Sequence, residues 1–362
     1  ITSMEKINKL TMMDYIEETP SVLQYNIHNR KELLKPLFDY IQGRTVKQLV
    51  LIASGSSYNA CHIARSFLLK CLDIPVRILT PYTFIYYEHD FNENDLIIVI
   101  SQSGLSTNAI EALKKAKSLN YQTLCLTGDK NKDVKDYADV ILEYGVGEEL
   151  VGYVTKGVST LALYLCLFAI EFANKKEFIS ELEKAVRLNK EMIVKSKEFI
   201  QKYFQSFSAM HQCYICGAGA NYGTALEGAL KIGETIHIPS NCYEIEEYIH
   251  GPNLQLTPSY TVIFFDGNDD ASHRVKQVYL ATKEVTDHCF MISNSFQDEH
   301  VLSLSDQVIE ELSSFVYLAF VQILSYEISS SLKTVYQHPL LKEFKKIASA
   351  KTEHFINYDE DE

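Results

Sequence analysis

The sequence has 362 residues and a formal net charge of −13, with 47 Asp and Glu against 34 Lys and Arg. This balance excludes a broad nucleic-acid surface, because phosphate backbones are bound by clustered Lys and Arg. A hydrophobic content of 46% and a charged content of 22% are typical of a soluble protein. The length predicts about two domains.

Cysteine usage and hydropathy point to a reducing compartment. The eight cysteines are scattered through apolar segments, so we expect buried thiols. Cys213 and Cys216 lie in a predicted strand, where positions i and i+3 face opposite sides and cannot share a metal. No signal peptide is recognisable, and the apolar stretch Val158–Phe172 is short for a bilayer. We therefore predict a cytoplasmic protein with no membrane contact.

The first part of the chain, residues 1–42, is predicted to be helical. Apolar residues recur at helical spacing in Thr11–Glu18 and again in Ser21–Gln42, and Pro20 separates the two segments. Ser21 and Gln24 have the spacing of a capping box, which predicts a new helix start there.

From Gln48 onward, apolar strands alternate with helices, which is typical of a parallel sheet covered on both faces. A long amphipathic helical region, 175–210, separates two such runs. The predicted strands are 48–55, 76–84, 95–104, 122–129 and 139–144, then 212–219, 260–267, 288–293 and 301–306. The predicted helices are 56–72, 106–120, 134–138 and 154–172, then 221–238, 271–287 and 312–332.

The two halves also share a local pattern. Ala53–Tyr58 aligns with Gly217–Tyr222: an apolar strand ends in Gly, and Tyr follows three residues later in a helix. This repeat favours two copies of one doubly wound α/β unit over a single large sheet. We predict a helical N-terminal segment (1–42), a first domain (43–190), a second domain (191–335) and a C-terminal tail (336–362).

Two hydroxyl-rich turns follow strands of the first half: Gly55-Ser56-Ser57 and Ser101–Thr107. Each opens a helix, so free backbone N–H groups and hydroxyls can converge on an anion at the carboxyl end of the sheet. Simple helix capping is the alternative for either turn. Neither turn is a nucleotide-binding loop, because no GK[ST] or GxGxxG pattern is present. Val154-Thr155-Lys156 opens another helix that could close the same pocket.

A charged helix face in the second half is a candidate for proton transfer. Glu227, Lys231 and Glu234 are spaced to lie on one face of a helix, and His250 follows in a loop. A merely solvated face is the alternative. No GxSxG elbow and no metal-binding histidine spacing is present, so we predict no metal and no cofactor.

The sequence resembles the sugar isomerase (SIS) domain family in a series of motifs. In chain order they are Gly55-Ser-Ser-Tyr-Asn, Ser101-Gln-Ser-Gly, Thr155-Lys156, Ala225-Leu-Glu-Gly-Ala-Leu-Lys with Glu234, and His250-Gly-Pro. The pattern is most similar to the isomerase half of glucosamine-6-phosphate synthase and to fructosamine-6-phosphate deglycases. It spans roughly residues 45–345.

The resemblance implies two flavodoxin-like SIS domains with parallel sheets between helices, and a phosphorylated sugar as ligand. It implies Glu234 as the base between sugar C1 and C2, and His250 as the ring-opening acid/base. In the synthase this histidine comes from the partner subunit, and the sequence leaves open whether His250 serves its own subunit or a neighbour. The resemblance also implies a homodimer or higher homo-oligomer with shared sites. The substrate-binding residues implied are Ser56, Ser57, Ser101, Gln102, Ser103, Ser106, Gly152, Val154 and Glu227, with Lys231 supporting the base.

The sequence departs from the synthase in several places. Ser103-Gly-Leu-Ser106 replaces Ser-Gly-Glu-Thr, and Tyr153-Val154 replaces Ala-Ser before Thr-Lys. The synthase has a tail lysine that forms a Schiff base with the ketose, and Lys345 and Lys346 are the candidates for that role here. Only about forty helical residues precede the first domain, so glutaminase activity is not expected.

These expectations rank three functions. A deglycase or deaminase of a phosphorylated amino-ketose is favoured first, and an isomerase of an amino-sugar phosphate second. A non-catalytic sugar-phosphate sensor is third, because the Glu234/His250 set and the acidic composition are not typical of DNA-binding regulators.

Overall fold

Two five-stranded parallel sheets form the framework of the protein. The computed structural model describes residues 10–335 and 338–358, so small parts of the predicted N-terminal segment and tail lie outside it. The first sheet contains β1 (Gln48–Ile52), β2 (Val76–Leu79), β3 (Asp95–Ser101), β4 (Leu124–Thr127) and β5 (Val140–Glu143). The second contains β6 (Cys213–Cys216), β7 (Ser240–Tyr243), β8 (Thr261–Phe265), β9 (Cys289–Ile292) and β10 (Val301–Leu302).

The two sheets have the same topology. Their strand orders are β2-β1-β3-β4-β5 and β7-β6-β8-β9-β10, and every neighbouring pair is parallel. The register repeats as well: Ile52 of β1 pairs with Val99, and Cys216 of β6 pairs with Phe264. The predicted α/β fold with two flavodoxin-like domains is confirmed.

A central layer of helices lies between the two sheets. Leu49 and Leu51 of β1 face this layer, whereas Val50 and Ile52 pack on the opposite, outer face of the sheet. The helices of the N-terminal segment and first domain are α1 (Met12–His28), α2 (Arg30–Ile41), α3 (Gly55–Cys71), α4 (Pro81–Tyr86), α5 (Thr107–Ser118) and α6 (Lys156–Ala173). They are followed by α7 (Ile179–Lys202), α8 (Phe204–Ser208), α9 (Ala220–Ile236), α10 (Ile245–Tyr248), α11 (Ser272–Lys283), α12 (Ser314–Leu332) and α13 (Leu341–Ile347).

The cysteines are buried or half-buried free thiols. Cys213 packs into the central layer and Cys216 into the outer core of the second sheet. The two side chains therefore point to opposite faces, as the strand periodicity predicts. Within residues 10–335 and 338–358, no group of His, Cys, Asp and Glu has a metal-binding arrangement.

The N-terminal segment differs from its prediction at Pro20. Helix α1 continues through Pro20 instead of ending before it, and the predicted capping box at Ser21 and Gln24 is wrong. The capping box is formed by Thr11 and Asp14 at the start of the helix. Pro20 is buried and removes only one backbone donor, a loss that the packing of α1 against α6 and α7 offsets.

The second predicted strand is also shorter than expected. β2 ends at Leu79, and residues 81–84 belong to helix α4. Thr80 caps this helix with its side chain, and Pro81 occupies the first turn, where its missing N–H has no cost. Strand β7 is missing from the prediction because its sequence, Ser-Asn-Cys-Tyr, is polar and only half-buried at a sheet edge.

Helices α6 and α12 have the length and apolar composition of membrane spans. Within the fold, 83% of the α6 window and 72% of the α12 window are buried. They are central helices of the core, in agreement with the buried helix predicted at Val158–Phe172.

The two domains meet where α3 crosses α9. A Cβ atom on Gly223 of α9 would lie 2.4 Å from the backbone nitrogen of Ile63, so the helices touch backbone to backbone. Beside the crossing, the His62 ring packs between Tyr58 and Tyr222, the two tyrosines of the sequence repeat. The predicted boundary at residues 190/191 falls within the continuous helix α7.

Candidate active site

The turn after β3, residues 101–107, is called the serine turn below. Ser101 Oγ accepts the backbone N–H of Gly104 at 3.2 Å and donates to Ser106 Oγ at 3.1 Å. Ser103 Oγ accepts the N–H of Leu105 at 3.2 Å. Gly104 has a φ of +66°, which favours glycine. The hydroxyls therefore gather at the N-terminus of α5, where an anion is stabilised.

The two hydroxyl-rich turns lie together at the carboxyl edge of the first sheet. They follow the paired strands β1 and β3. Asn108 Nδ2, in the first turn of α5, donates to Ser54 Oγ at 2.8 Å and links the two turns directly. Ser57 is half-buried at the start of α3.

The charged face of α9 is not solvated, which removes the alternative interpretation. Glu227 and Lys231 have side-chain exposures of 0% and 1%. Lys231 Nζ lies 3.2 Å from Glu227 Oε1 and 2.5 Å from Glu234 Oε1. Burial opposes the charged form of Lys231, but Glu227 and Glu234 outweigh it and raise the pKa of the ammonium.

Residues of the first domain complete this charged cluster. Glu227 accepts hydrogen bonds from Ser56 Oγ at 2.9 Å and Asn59 Nδ2 at 2.8 Å, and Lys231 Nζ donates to Ser56 Oγ at 3.1 Å. Ser56 is therefore engaged with the α9 carboxylate and ammonium. Glu234 is the member that remains reachable, with 32% side-chain exposure.

A further carboxylate, Glu149, connects the serine turn to α6. It accepts N–H groups from Thr155 at 3.0 Å and Lys156 at 2.7 Å, and the side-chain amide of Gln102 at 2.9 Å. Burial raises the pKa of Glu149, although these donors act against the shift. Gly157 allows Gln102 to pack close, because a Cβ there would lie 2.0 Å from Gln102 Oε1.

The segment between Glu149 and α6 carries two further candidates, Gly152, which is exposed, and Val154, which is half-buried. Lys156 is 2% exposed, and its Nζ lies 3.1 Å from Oε2 of Glu18 in α1. A hollow of about 770 Å³ beside Lys156 is lined by α1, α2 and residues 145–148. None of the serine-turn residues lines it.

The tail lysine at the serine turn is Lys351. Its Nζ donates to Ser103 Oγ and Ser106 Oγ, each at 3.1 Å, and burial lowers the pKa of this ammonium. Lys345 and Lys346 are exposed on α13. The sequence did not point to Lys351, because the path of the tail over the first domain cannot be read from its residues alone. Any of several tail lysines could have reached the serine turn.

His250 lies in the loop after α10 and is exposed to solvent. Its Nδ1 is 2.6 Å from the backbone oxygen of Glu246. The Glu246 side chain in turn pairs with Arg274 at 2.5 Å. The contacts of this loop hold the backbone of His250 in place and leave its ring at the surface.

Together these groups give the site two chemically different ends. The serine turn and Lys351 offer hydroxyls and positive charge to an anion. The α9 cluster offers a carboxylate, Glu234, hydrogen-bonded to a buried ammonium. Ser54, Ser56 and Asn108 bring the two ends to one edge of the sheet.

Comparison with known proteins agrees with this geometry. The SIS domain model matches residues 44–170 and 206–299. Glutamine–fructose-6-phosphate aminotransferase (isomerizing) of Caldanaerobacter subterraneus is 30% identical over 234 residues, covering 62% of this chain and 38% of the relative. The chain therefore spans well under half of that relative, and 54% of the corresponding Thermococcus kodakarensis protein.

Solved structures show the same fold across nearly the whole chain. A Clostridium difficile 630 protein assigned as a phosphosugar isomerase is 26% identical with a TM-score of 0.85, covering 95% of this chain and 99% of that one. The C-terminal domain of the Francisella tularensis glucosamine-fructose-6-phosphate aminotransferase is 22% identical with a TM-score of 0.78, covering 93% and 100%. The chain belongs to the SIS domain family and contains two SIS domains.

Proposed function

We propose that this protein is a cytoplasmic enzyme that processes a phosphorylated amino-ketose by proton transfer between C1 and C2, releasing the amine. One observation carries the proposal: Glu234 is partly exposed and bonded to the buried Lys231, which is itself anchored on Ser56 at the carboxyl edge of the first sheet. A carboxylate that is ordered yet reachable is suited to act as a base.

The phosphate group would be held by Ser101, Ser103 and Ser106, with Lys351 as its counter-charge. Hydroxyls and a helix N-terminus bind phosphate without a Walker lysine. Phosphate bound at a distance from the reacting carbons supplies binding energy that orients C1 and C2 at Glu234. Ser57 and Gln102 would assist in holding the phosphate, and Gly152 and Val154 would contact the substrate.

The proposed reaction balances with water as the only co-substrate. Glu234 removes a proton from C1 of a fructose 6-phosphate that carries the amine on C1. The C1–H bonding electrons form a C1=C2 double bond, and the C2 carbonyl oxygen takes up a proton, which gives an enaminol. Return of a proton to C2 gives an imine between C1 and nitrogen. Water then adds to C1, the C–N bond breaks, and glucose 6-phosphate and the free amine leave. Lys231, as a nearby cation, stabilises the ionised carboxylate.

An amino-sugar phosphate isomerase is the second candidate, because it needs the same phosphate site and the same ordered, partly exposed carboxylate. The same Glu234 would then move the proton between C1 and C2 without release of an amine.

We further propose that His250 acts as the ring-opening acid/base in a homo-oligomer. Its ring is exposed, so it is available to the site of a neighbouring copy. Histidine suits this step because its ordinary pKa lies near neutrality.

A substrate panel separates these functions. The purified chain is offered fructosamine 6-phosphates with different amines, and separately glucosamine 6-phosphate. Release of amine or ammonia and formation of glucose 6-phosphate support the first proposal. Interconversion of aldose and ketose without amine release supports the second. Tight binding of a sugar phosphate without any turnover makes the protein a sensor and overturns both.

A further inference from the structure

The tail is docked on the serine turn by a short antiparallel pairing. The N–H of Thr107 donates to the carbonyl of Ala350 at 3.1 Å, and the N–H of Thr352 donates to the carbonyl of Leu105 at 2.9 Å. Lys351 lies between these two hydrogen bonds, opposite Ser106. Its position over the serine hydroxyls therefore depends on the tail staying docked.

Three residues beyond Lys351, the tail makes a side-chain contact with the same domain. His354 Nδ1 lies 3.0 Å and 2.9 Å from the two carboxylate oxygens of Asp133. Asp133 begins a 3-10 helix, and the next residue, Val134, donates its N–H to the carbonyl of Gly104 at 3.1 Å. Asp133 is thus fixed relative to the serine turn by one backbone hydrogen bond.

We propose that Asp133 and His354 are positioning residues, which hold the tail so that the Lys351 ammonium stays on the serine turn. Neither residue contacts the proposed substrate, and both act through Lys351. The docking claim stands on the tail contacts alone. Only its kinetic consequence rests on the proposed function.

The charges around the pair predict a pH dependence. Asp133 raises the pKa of His354, and a second carboxylate, Glu353, lies 3.9 Å from His354 Nε2. Lys135, in the same 3-10 helix, is a cation that also acts on Asp133. Because the pKa of His354 is raised when the tail is docked, the pair favours docking at low pH. This contribution is lost as the pH rises through that raised value.

Hydrogen exchange tests the docking claim without any substrate. In the wild-type chain, the amides of Thr107 and Thr352 are expected to exchange slowly, with protection falling as the pH rises through the raised pKa of His354. Asp133→Asn and His354→Gln should each speed exchange at both amides by about twofold to fivefold, the range for an exposed ion pair. Glu111→Gln, which breaks the exposed pair with Lys114 on α5, is the matched control.

A charge exchange provides the rescue. Asp133→His combined with His354→Asp restores an oppositely charged pair in the same place, so protection of both amides should return toward the wild-type level. Unchanged exchange in both single variants overturns the proposal. So does equal acceleration by Glu111→Gln.

The kinetic arm uses fructosamine 6-phosphate. Asp133→Asn should raise KM by the same twofold to fivefold factor and leave kcat nearly unchanged, with the difference from wild type shrinking at alkaline pH. If exchange responds but KM does not, docking holds and the role of Lys351 in the proposed function fails.

Discussion

The carboxyl edges of the two sheets have the same topology but side chains of opposite charge: hydroxyls with an ammonium at the first, carboxylates at the second. Val99 and Phe264 occupy equivalent places in the two registers, so Ser101 of the serine turn corresponds to Asp266 of the second domain. Ser101 donates to the Ser106 hydroxyl, which also accepts a hydrogen bond from the Lys351 ammonium. Around Asp266 the partners are donors from its own domain.

The second edge is filled by its own carboxylates. Asp266 accepts Ser272 Oγ at 2.7 Å, Ser293 Oγ at 2.6 Å and Ser295 Oγ at 2.5 Å. At the N-terminus of α9, the helix equivalent to α3 of the first domain, Glu310 accepts the N–H of Ala220 at 2.7 Å.

Glycines make room for the Glu310 carboxylate. A Cβ on Gly219 would lie 2.4 Å from Glu310 Oε1, and one on Gly267 would lie 2.5 Å from its Cγ. A phosphate here would meet the charge of Asp266 and a helix terminus already occupied by Glu310. The repeated fold thus provides two candidate sites, and the polar side chains suit the first, and not the second, to the proposed phosphate.

The largest effect is expected from the proton-transfer end of the first site. Glu234→Gln removes the base but keeps the shape, so turnover should fall by about a thousandfold or more while sugar-phosphate binding persists. Steady-state rates and calorimetric binding check this, with Glu247→Gln, an exposed change in α10, as the control. Wild-type turnover in the variant would remove Glu234 from the mechanism.

The second prediction places an aspartate at the edge of the first sheet, as Asp266 does in the second. Ser101→Asp places a carboxylate where phosphate is proposed to bind, and two like charges there should weaken binding of fructose 6-phosphate by about a hundredfold. Ser118→Asp adds the same charge at the exposed end of α5 and should have little effect. Equal affinity of both variants would contradict the assignment of the serine turn.

The third prediction concerns the second edge alone. Burial raises the pKa of Glu310 to about 7. The unfolded chain releases this proton at lower pH, so stability should decrease as the pH rises from about 4.5 to 7. Glu310→Gln should remove this loss, worth on the order of 2 kcal/mol or about thirtyfold in the folding constant. Denaturant unfolding at pH 5 and pH 8 measures it, and parallel curves for both proteins would refute it.

The smallest effect is expected for the tail. Lys351→Met removes the cation on the serine turn and should raise KM by about tenfold, within the range for a charged hydrogen bond. Lys345→Met and Lys346→Met test the other two candidate lysines, and Lys342→Met serves as the control. If Lys345→Met or Lys346→Met raises KM more than Lys351→Met does, the lysine that binds the substrate lies on α13.

The sequence predicted the sheets well because buried parallel strands are continuous apolar runs, as in Asp95–Ser101. It located the serine turn and the α9 face because the residues of each lie in one short segment, at helical spacing in the case of α9. It missed Glu149, Asn59 and Lys351, whose roles depend on partners 47, 168 and 248 residues away. Pairings over such separations leave no local pattern.

The edge elements were the least predictable. β7 is polar and short, and α4 reads as a strand until its cap at Thr80 is recognised. Pro20 shows the same limit, because packing kept α1 intact where local preference predicted a break.

The crossing of α3 and α9 at Gly223 fixes how the two repeated halves sit against each other. Glu227 lies one helical turn beyond Gly223 on the same face of α9. Because Gly223 has no side chain, α9 approaches α3 closely enough for Ser56 and Asn59 to donate hydrogen bonds to Glu227. The proposed phosphate turn and the proposed base belong to different halves of the repeat. One half therefore supplies the proposed anion site and the other the proposed base. The close contact at Gly223 sets the relative position of the two helices that carry them.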